Sequence, residues 1–171
     1  MKTYALRDIF KFIIAVEEEG NAFYKAVATA TEGKLLKDLF ISLSKQEVKH
    51  AKIFLKLYKS YDEKGVNFTA GEELSELLDT LMRGLLFPDI SEVRDALRKK
   101  RDLVSVIKIA MDVELNTILF YQRIKELLAQ KQTKAILQKV IAEEEKHLIR
   151  LKNTRLEFDA LYAGLRYGKF F

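Results

Sequence analysis

The stretch Val140-Ile141-Ala142-Glu143-Glu144-Glu145-Lys146-His147-Leu148-Ile149-Arg150-Leu151 decides how the chain is read. Val140, Ile141, Leu148 and Leu151, with Leu137 before them, recur at helical spacing and form an apolar stripe that Glu144 interrupts. His147 follows three residues later, which on a helix brings carboxylate and imidazole to one face, about 5–6 Å apart at Cβ. A pair so spaced can reach a single ion. One copy would be an ordinary surface pair, but the chain has only two histidines. The other, His50, closes the same motif in Glu47-Val48-Lys49-His50, within a stripe of Phe40, Leu43, Ser44, Ala51 and Phe54.

The two motifs belong to an internal repeat. The same 97 residues separate Glu17 from Glu114, Tyr24 from Tyr121, Glu47 from Glu144 and His50 from His147. Glu17 and Glu47 stand about equally far from a break at Gly33, and Glu114 and Glu144 from one at Gln130-Lys131-Gln132. In antiparallel helices of equal rise, residues equidistant from the turn lie at one level, so each half pairs a lone glutamate with a Glu-x-x-His. Glu17 lies among Phe10, Ile13, Gly20 and Tyr24, and Glu114 among Ile107, Ala110, Met111, Thr117, Ile118 and Tyr121. Within Glu17-Glu18-Glu19 the repeat selects Glu17, although Glu19 also has apolar neighbours in Phe12, Val16 and Phe23.

All four glutamates therefore interrupt core stripes, and burying unpaired carboxylates costs several kcal/mol each, so something cationic is expected between them. Four carboxylates and two neutral imidazoles carry four negative charges, which two divalent ions neutralise. Oxygen and imidazole donors suit iron or manganese, and zinc could also occupy such a site. The expected metal ligands are Glu17, Glu47, His50, Glu114, Glu144 and His147. Tyr24 and Tyr121 lie two turns, about 10 Å, from the glutamates and are either neighbours of the site or core aromatics. Asp112 and Gln46 are candidates to orient an imidazole.

Working outward, apolar residues keep helical spacing over about 6 to 30, 34 to 60, 102 to 129 and 132 to 161, predicting two antiparallel hairpins. Between them, about 61 to 101 carries Gly65, Gly71, Gly84 and Pro88 with shorter helical patterns near 72 to 83 and 91 to 100. That is the long crossover of an all-α four-helix bundle. At 171 residues a single domain is expected, and one proline and a composition rich in Lys, Leu, Glu and Ala leave little support for strands. The net charge of +5 is interspersed rather than segregated, and Arg98-Lys99-Lys100-Arg101 lacks any accompanying groove-reading feature, so no nucleic-acid partner is expected. The absence of cysteine excludes disulfides, thiolate ligands, iron–sulfur clusters and cysteine nucleophiles. No apolar run approaches the roughly 20 residues that span a bilayer, and the N-terminus lacks a signal pattern, which points to the cytoplasm. The aromatic tail from Gly164 to Phe171 offers a packing strip for the bundle or a partner.

The phrases Glu17-Glu18-Glu19-Gly20-Asn21-Ala22-Phe23-Tyr24 and Glu114 through Phe120-Tyr121, each followed by Glu-x-x-His, resemble the rubrerythrin-like branch of the ferritin-like superfamily, from about Leu6 to Leu161. The resemblance implies a ferritin-like four-helix bundle holding two iron ions. It also implies reduction of peroxide or oxygen with electrons from an external donor such as a rubredoxin, in a homodimer. Two departures stand out: no cysteine is present to build a rubredoxin domain, and Thr117 occupies the place of a further glutamate expected three residues after Glu114. Iron binding without turnover and a di-iron hydroxylase are the alternative functions.

Overall fold

The computed structural model describes residues 2–31, 33–62, 65–72, 75, 76, 79 and 103–166. The chain divides into two compact units, Met1–Asp95 and Ala96–Phe171. In the first, β1 (Lys2–Ala5) leads directly into α1 (Leu6–Ala30), followed by α2 (Lys34–Asp62) and β2 (Asn67–Ala70). The second contains α3 (Leu103–Leu127) and α4 (Lys131–Arg166).

Helices α1 and α2 pack against each other, and the short link at Gly33 makes them antiparallel. Thr31 ends α1 in extended conformation, its hydroxyl donating to Val27 O at 2.7 Å, and Gly33 O accepts the Lys37 N–H to open α2. Helix α1 begins without a side-chain cap. One of the N–H groups orphaned at its start, that of Leu6, is satisfied instead by Val66 O at 2.9 Å. At the far end of α2, Gly65 adopts φ 58°, a left-handed conformation that only glycine enters without penalty, and its N–H donates to Tyr61 O.

A short antiparallel ribbon was not expected from the sequence: β1 pairs with β2 in the register Lys2 to Ala70 through Ala5 to Asn67. Four residues are too few to display a period-2 pattern beside a helix of 25. The ribbon is fastened by Tyr4, whose hydroxyl lies 3.1 Å from Ser75 O and 3.0 Å from Asp79 Oδ1, and by Lys2 Nζ, 2.8 Å from both Asp79 oxygens. Residues 72, 75, 76 and 79 are helical, as the pattern near 72 to 83 predicts. The pattern near 91 to 100, Pro88, the basic cluster and the last residues of the aromatic tail lie outside the described residues.

The core of the first unit holds two aromatic clusters. Phe10 stacks with Phe54 at 6.3 Å and with Tyr61 at 5.3 Å, while Tyr24 stacks with Phe40 at 6.1 Å and meets Phe23 edge-on at 5.2 Å. In the second unit α3 and α4 form the other hairpin, with Ile107, Ala110, Tyr121, Ile124, Leu137 and Leu151 fully buried. Helix α4 runs to Arg166, past the expected end near 161. Phe158, Leu161, Tyr162 and Leu165 keep the helical spacing past that point, and the helix runs through Gly164, where the aromatic tail was expected to begin. Among the described residues, no helix is long and apolar enough to cross a membrane.

Candidate metal centre

Each hairpin buries one carboxylate from its first helix and a Glu-x-x-His from its second. In the first unit these are Glu17 on α1 and Glu47 with His50 on α2, each no more than 5% exposed. Phe10 and Tyr24 sit two turns to either side of Glu17, and Phe40 and Phe54 two turns to either side of Glu47, so the two aromatic clusters close the site above and below. His50 Nδ1 stands 3.5 Å from Glu17 Oε2 and 3.7 Å from Glu47 Oε2. Those separations exceed the roughly 2.7–3.2 Å of an N–H···O bond.

The second unit repeats the arrangement with Glu114 on α3 and Glu144 with His147 on α4, each no more than 3% exposed. His147 Nδ1 lies 3.5 Å from Glu114 Oε1 and 2.8 Å from Glu144 Oε2. In both units the three residues offer ligand atoms within 4.8 Å of one another. Two donors bound to one ion at about 2.1 Å, at ordinary coordination angles, stand about 3.0–3.6 Å apart. The two 3.5 Å distances, from each imidazole to the lone glutamate of its hairpin, fall within that spacing; His50 to Glu47 at 3.7 Å is slightly wider, and His147 to Glu144 at 2.8 Å is a direct imidazole–carboxylate contact. The donors are all oxygen or imidazole nitrogen. Each triad therefore fits a divalent ion of the iron, manganese or zinc kind, with three protein ligands and further coordination positions left for others.

The other expected residues take different places. Glu18 is exposed and Glu19 half-buried, its carboxyl pushed above the usual range by burial, so the fully buried member of the run is Glu17, the one selected by the repeat. Likewise Glu144 is buried while Glu143 is half-buried and Glu145 exposed. Tyr24 and Tyr121 are fully buried and pack with aromatic neighbours, Tyr121 against Phe120 at 5.8 Å. Asp112 is exposed, which removes it as a group orienting a buried imidazole; Gln46 is half-buried. Thr117 is buried one turn after Glu114.

One polar pair was missed by the sequence reading. Ser44 Oγ donates to Asn21 Oδ1 at 2.8 Å, joining α2 to α1. Ser44 precedes Glu47 by three residues and Asn21 follows Glu17 by four, so both share their ligand's helix face. A serine inside an apolar stripe was the available signal.

No curated protein matches the chain. Among solved structures it is similar to a Thermotoga maritima protein described as a ferritin-like diiron-carboxylate protein, with 29% sequence identity and a TM-score of 0.70 over 92% of this chain and 98% of that one. The fold is thus the ferritin-like four-helix one that the helix pattern predicts. The family model described as Rubrerythrin matches residues 8–154, a span that begins in the first turn of α1 and includes Glu17, Glu47, His50, Glu114, Glu144 and His147, and the chain belongs to the rubrerythrin family.

Proposed function

We propose that the two triads act together as one di-iron centre, in a single domain spanning the chain, and that the protein is an oxidoreductase reducing peroxide or oxygen with electrons from an external donor. The observation that carries this reading is the matched pair of buried half-sites, each two carboxylates and one imidazole, in a chain of the rubrerythrin family. The similar Thermotoga maritima protein, described as a diiron-carboxylate protein, supports the same metal stoichiometry.

When bound, the two ions would supply the electrons that reduce the oxidant. The protein's own part is to hold them. Glu17, Glu47 and His50 would bind one and Glu114, Glu144 and His147 the other, and the four carboxylates balance the charge of two divalent ions. The aromatic layers of the first unit, Phe10 with Phe54 and Tyr24 with Phe40, keep bulk water from its triad and strengthen every charge interaction inside it. The 171 residues contain no cysteine with which to build a rubredoxin domain, and the donor proposed is an external one such as a rubredoxin. Action in the cytoplasm and assembly as a homodimer complete the proposal.

A second reading, iron binding without turnover, is favoured by Thr117, a buried hydroxyl where the family resemblance leads one to expect a further carboxylate. Metal analysis of purified protein, then iron reconstitution followed by absorption spectroscopy, tests the centre itself. Two ions per chain are expected, and failure to bind metal on reconstitution would refute it. Stopped-flow mixing of the reduced protein with peroxide and with oxygen separates the readings: rapid, repeated oxidation with a supplied donor favours the oxidoreductase, and a single stoichiometric oxidation favours iron handling.

A further inference from the structure

The two half-sites have the same ligands but different supports. At the repeat offset of 97 residues, Asn21 corresponds to Ile118 and Ser44 to Ile141. Ile118 and Ile141 are both buried and neither can donate or accept a side-chain hydrogen bond. In the first unit the corresponding positions are tied by the 2.8 Å bond from Ser44 Oγ to Asn21 Oδ1, with Ser44 buried.

This bond is a cross-helix strut one turn from the ligands, on the side of the Gly33 link. Ser44 stands one turn from Glu47 on α2 and Asn21 one turn from Glu17 on α1. A directional bond between them fixes how far α1 can slide or rotate against α2, and so fixes Glu17 against Glu47 and His50. Apolar side chains at the matching positions of α3 and α4 fill space without defining a single register, because hydrophobic contact is non-directional. A half-site already held in its binding geometry spends less of its binding free energy on ordering its ligands.

We propose that Ser44 and Asn21 are positioning residues that make the first triad the tighter of two unlike metal positions. The inference rests on the di-metal reading above. A net contribution typical of one buried hydrogen bond corresponds to roughly tenfold in affinity.

The test is an anaerobic titration of chelated full-length protein with cobalt(II), followed by visible absorption and by calorimetry, with no turnover involved. Wild type is expected to bind one ion per step in two steps, the first at least about tenfold tighter. Ser44→Ala and Asn21→Leu each remove one end of the strut and should weaken the first step about tenfold while leaving the second in place, so that the steps merge. Ser44→Thr, which keeps the hydroxyl, should retain the wild-type curve. A denaturation midpoint measured on each chelated variant separates loss of fold from loss of binding. Two equivalent sites in wild type, or variants that weaken both steps equally or neither, would overturn the inference while leaving the di-metal centre standing. A wild type that takes up no metal would sink both.

Discussion

Replacing Glu17 by glutamine should change stability in opposite senses according to whether metal is present. In the chelated protein, carboxylate oxygens of Glu17 and Glu47 lie within 4.8 Å of each other in a buried setting. At an effective dielectric constant of about 20, two unit negative charges at that distance repel by about 3.5 kcal/mol. Rearrangement of the side chains and neighbouring dipoles relieves part of this, so the isosteric amide should raise the stability of the chelated protein by about 1–3 kcal/mol. In the metal-loaded protein the same change removes a charged ligand. A loss of about a hundredfold in affinity for one ion lowers the stability gained on metal binding by about 2.8 kcal/mol. The assay is urea denaturation at pH 8, where an ordinary imidazole is neutral, with and without saturating manganese(II) or zinc(II). Glu18→Gln is the control, because Glu18 is exposed, and it should leave both curves within about 0.5 kcal/mol of wild type. The reasoning fails if Glu17→Gln destabilises the chelated protein, or if the metal-dependent gain in stability equals that of wild type.

The hairpin and ribbon can be probed away from the ligands. Phe10→Ala, which empties a fully buried position between Phe54 and Tyr61, should cost about 3–5 kcal/mol by chemical denaturation; a change below about 1 kcal/mol would mean the cluster is not packed as described. Tyr4→Phe leaves the ring but removes the hydroxyl that reaches Ser75 O and Asp79 Oδ1, and should cost about 1 kcal/mol and speed amide hydrogen exchange in β1 and β2. Gly65→Ala meets no steric obstacle but must adopt φ 58°, so a loss of about 1 kcal/mol is expected in the denaturation midpoint, with metal content unchanged.

Much of this molecule is legible in the sequence because its chemistry contradicts its setting. A glutamate in an apolar stripe is costly, so Glu47 and Glu144 stand out against Phe40, Phe54, Leu137 and Leu151, and the unique histidines fix the register between halves. The observed helices begin and end within a few residues of their predicted bounds because Gly33 and the Gln130 region interrupt long, regular patterns. The ribbon was not legible, since β1 and β2 owe their existence to each other, 62 to 68 residues apart in the chain, and to Tyr4 and Lys2 reaching Asp79, 75 and 77 residues away. Asp112 misled because its proximity in sequence to Glu114 says nothing about its face, and two positions along a helix is a rotation of about 200°.

The least legible feature is the one that distinguishes the two halves. A repeat directs the eye to what is shared, here Glu17 with Glu114 and His50 with His147, and treats the remaining differences as drift. Yet ligands chosen by charge and reach are the same in any half-site of this chemistry, whereas the residues that hold them still need only suit their own hairpin. Asn21 and Ser44 look like ordinary polar substitutions until their side chains are found 2.8 Å apart. Ile118 and Ile141 look like ordinary core. If ligand order is set by such supporting residues, two ions in chemically matched triads need not be equivalent. That difference between the halves would then reside in the bundle's packing rather than in its coordinating groups.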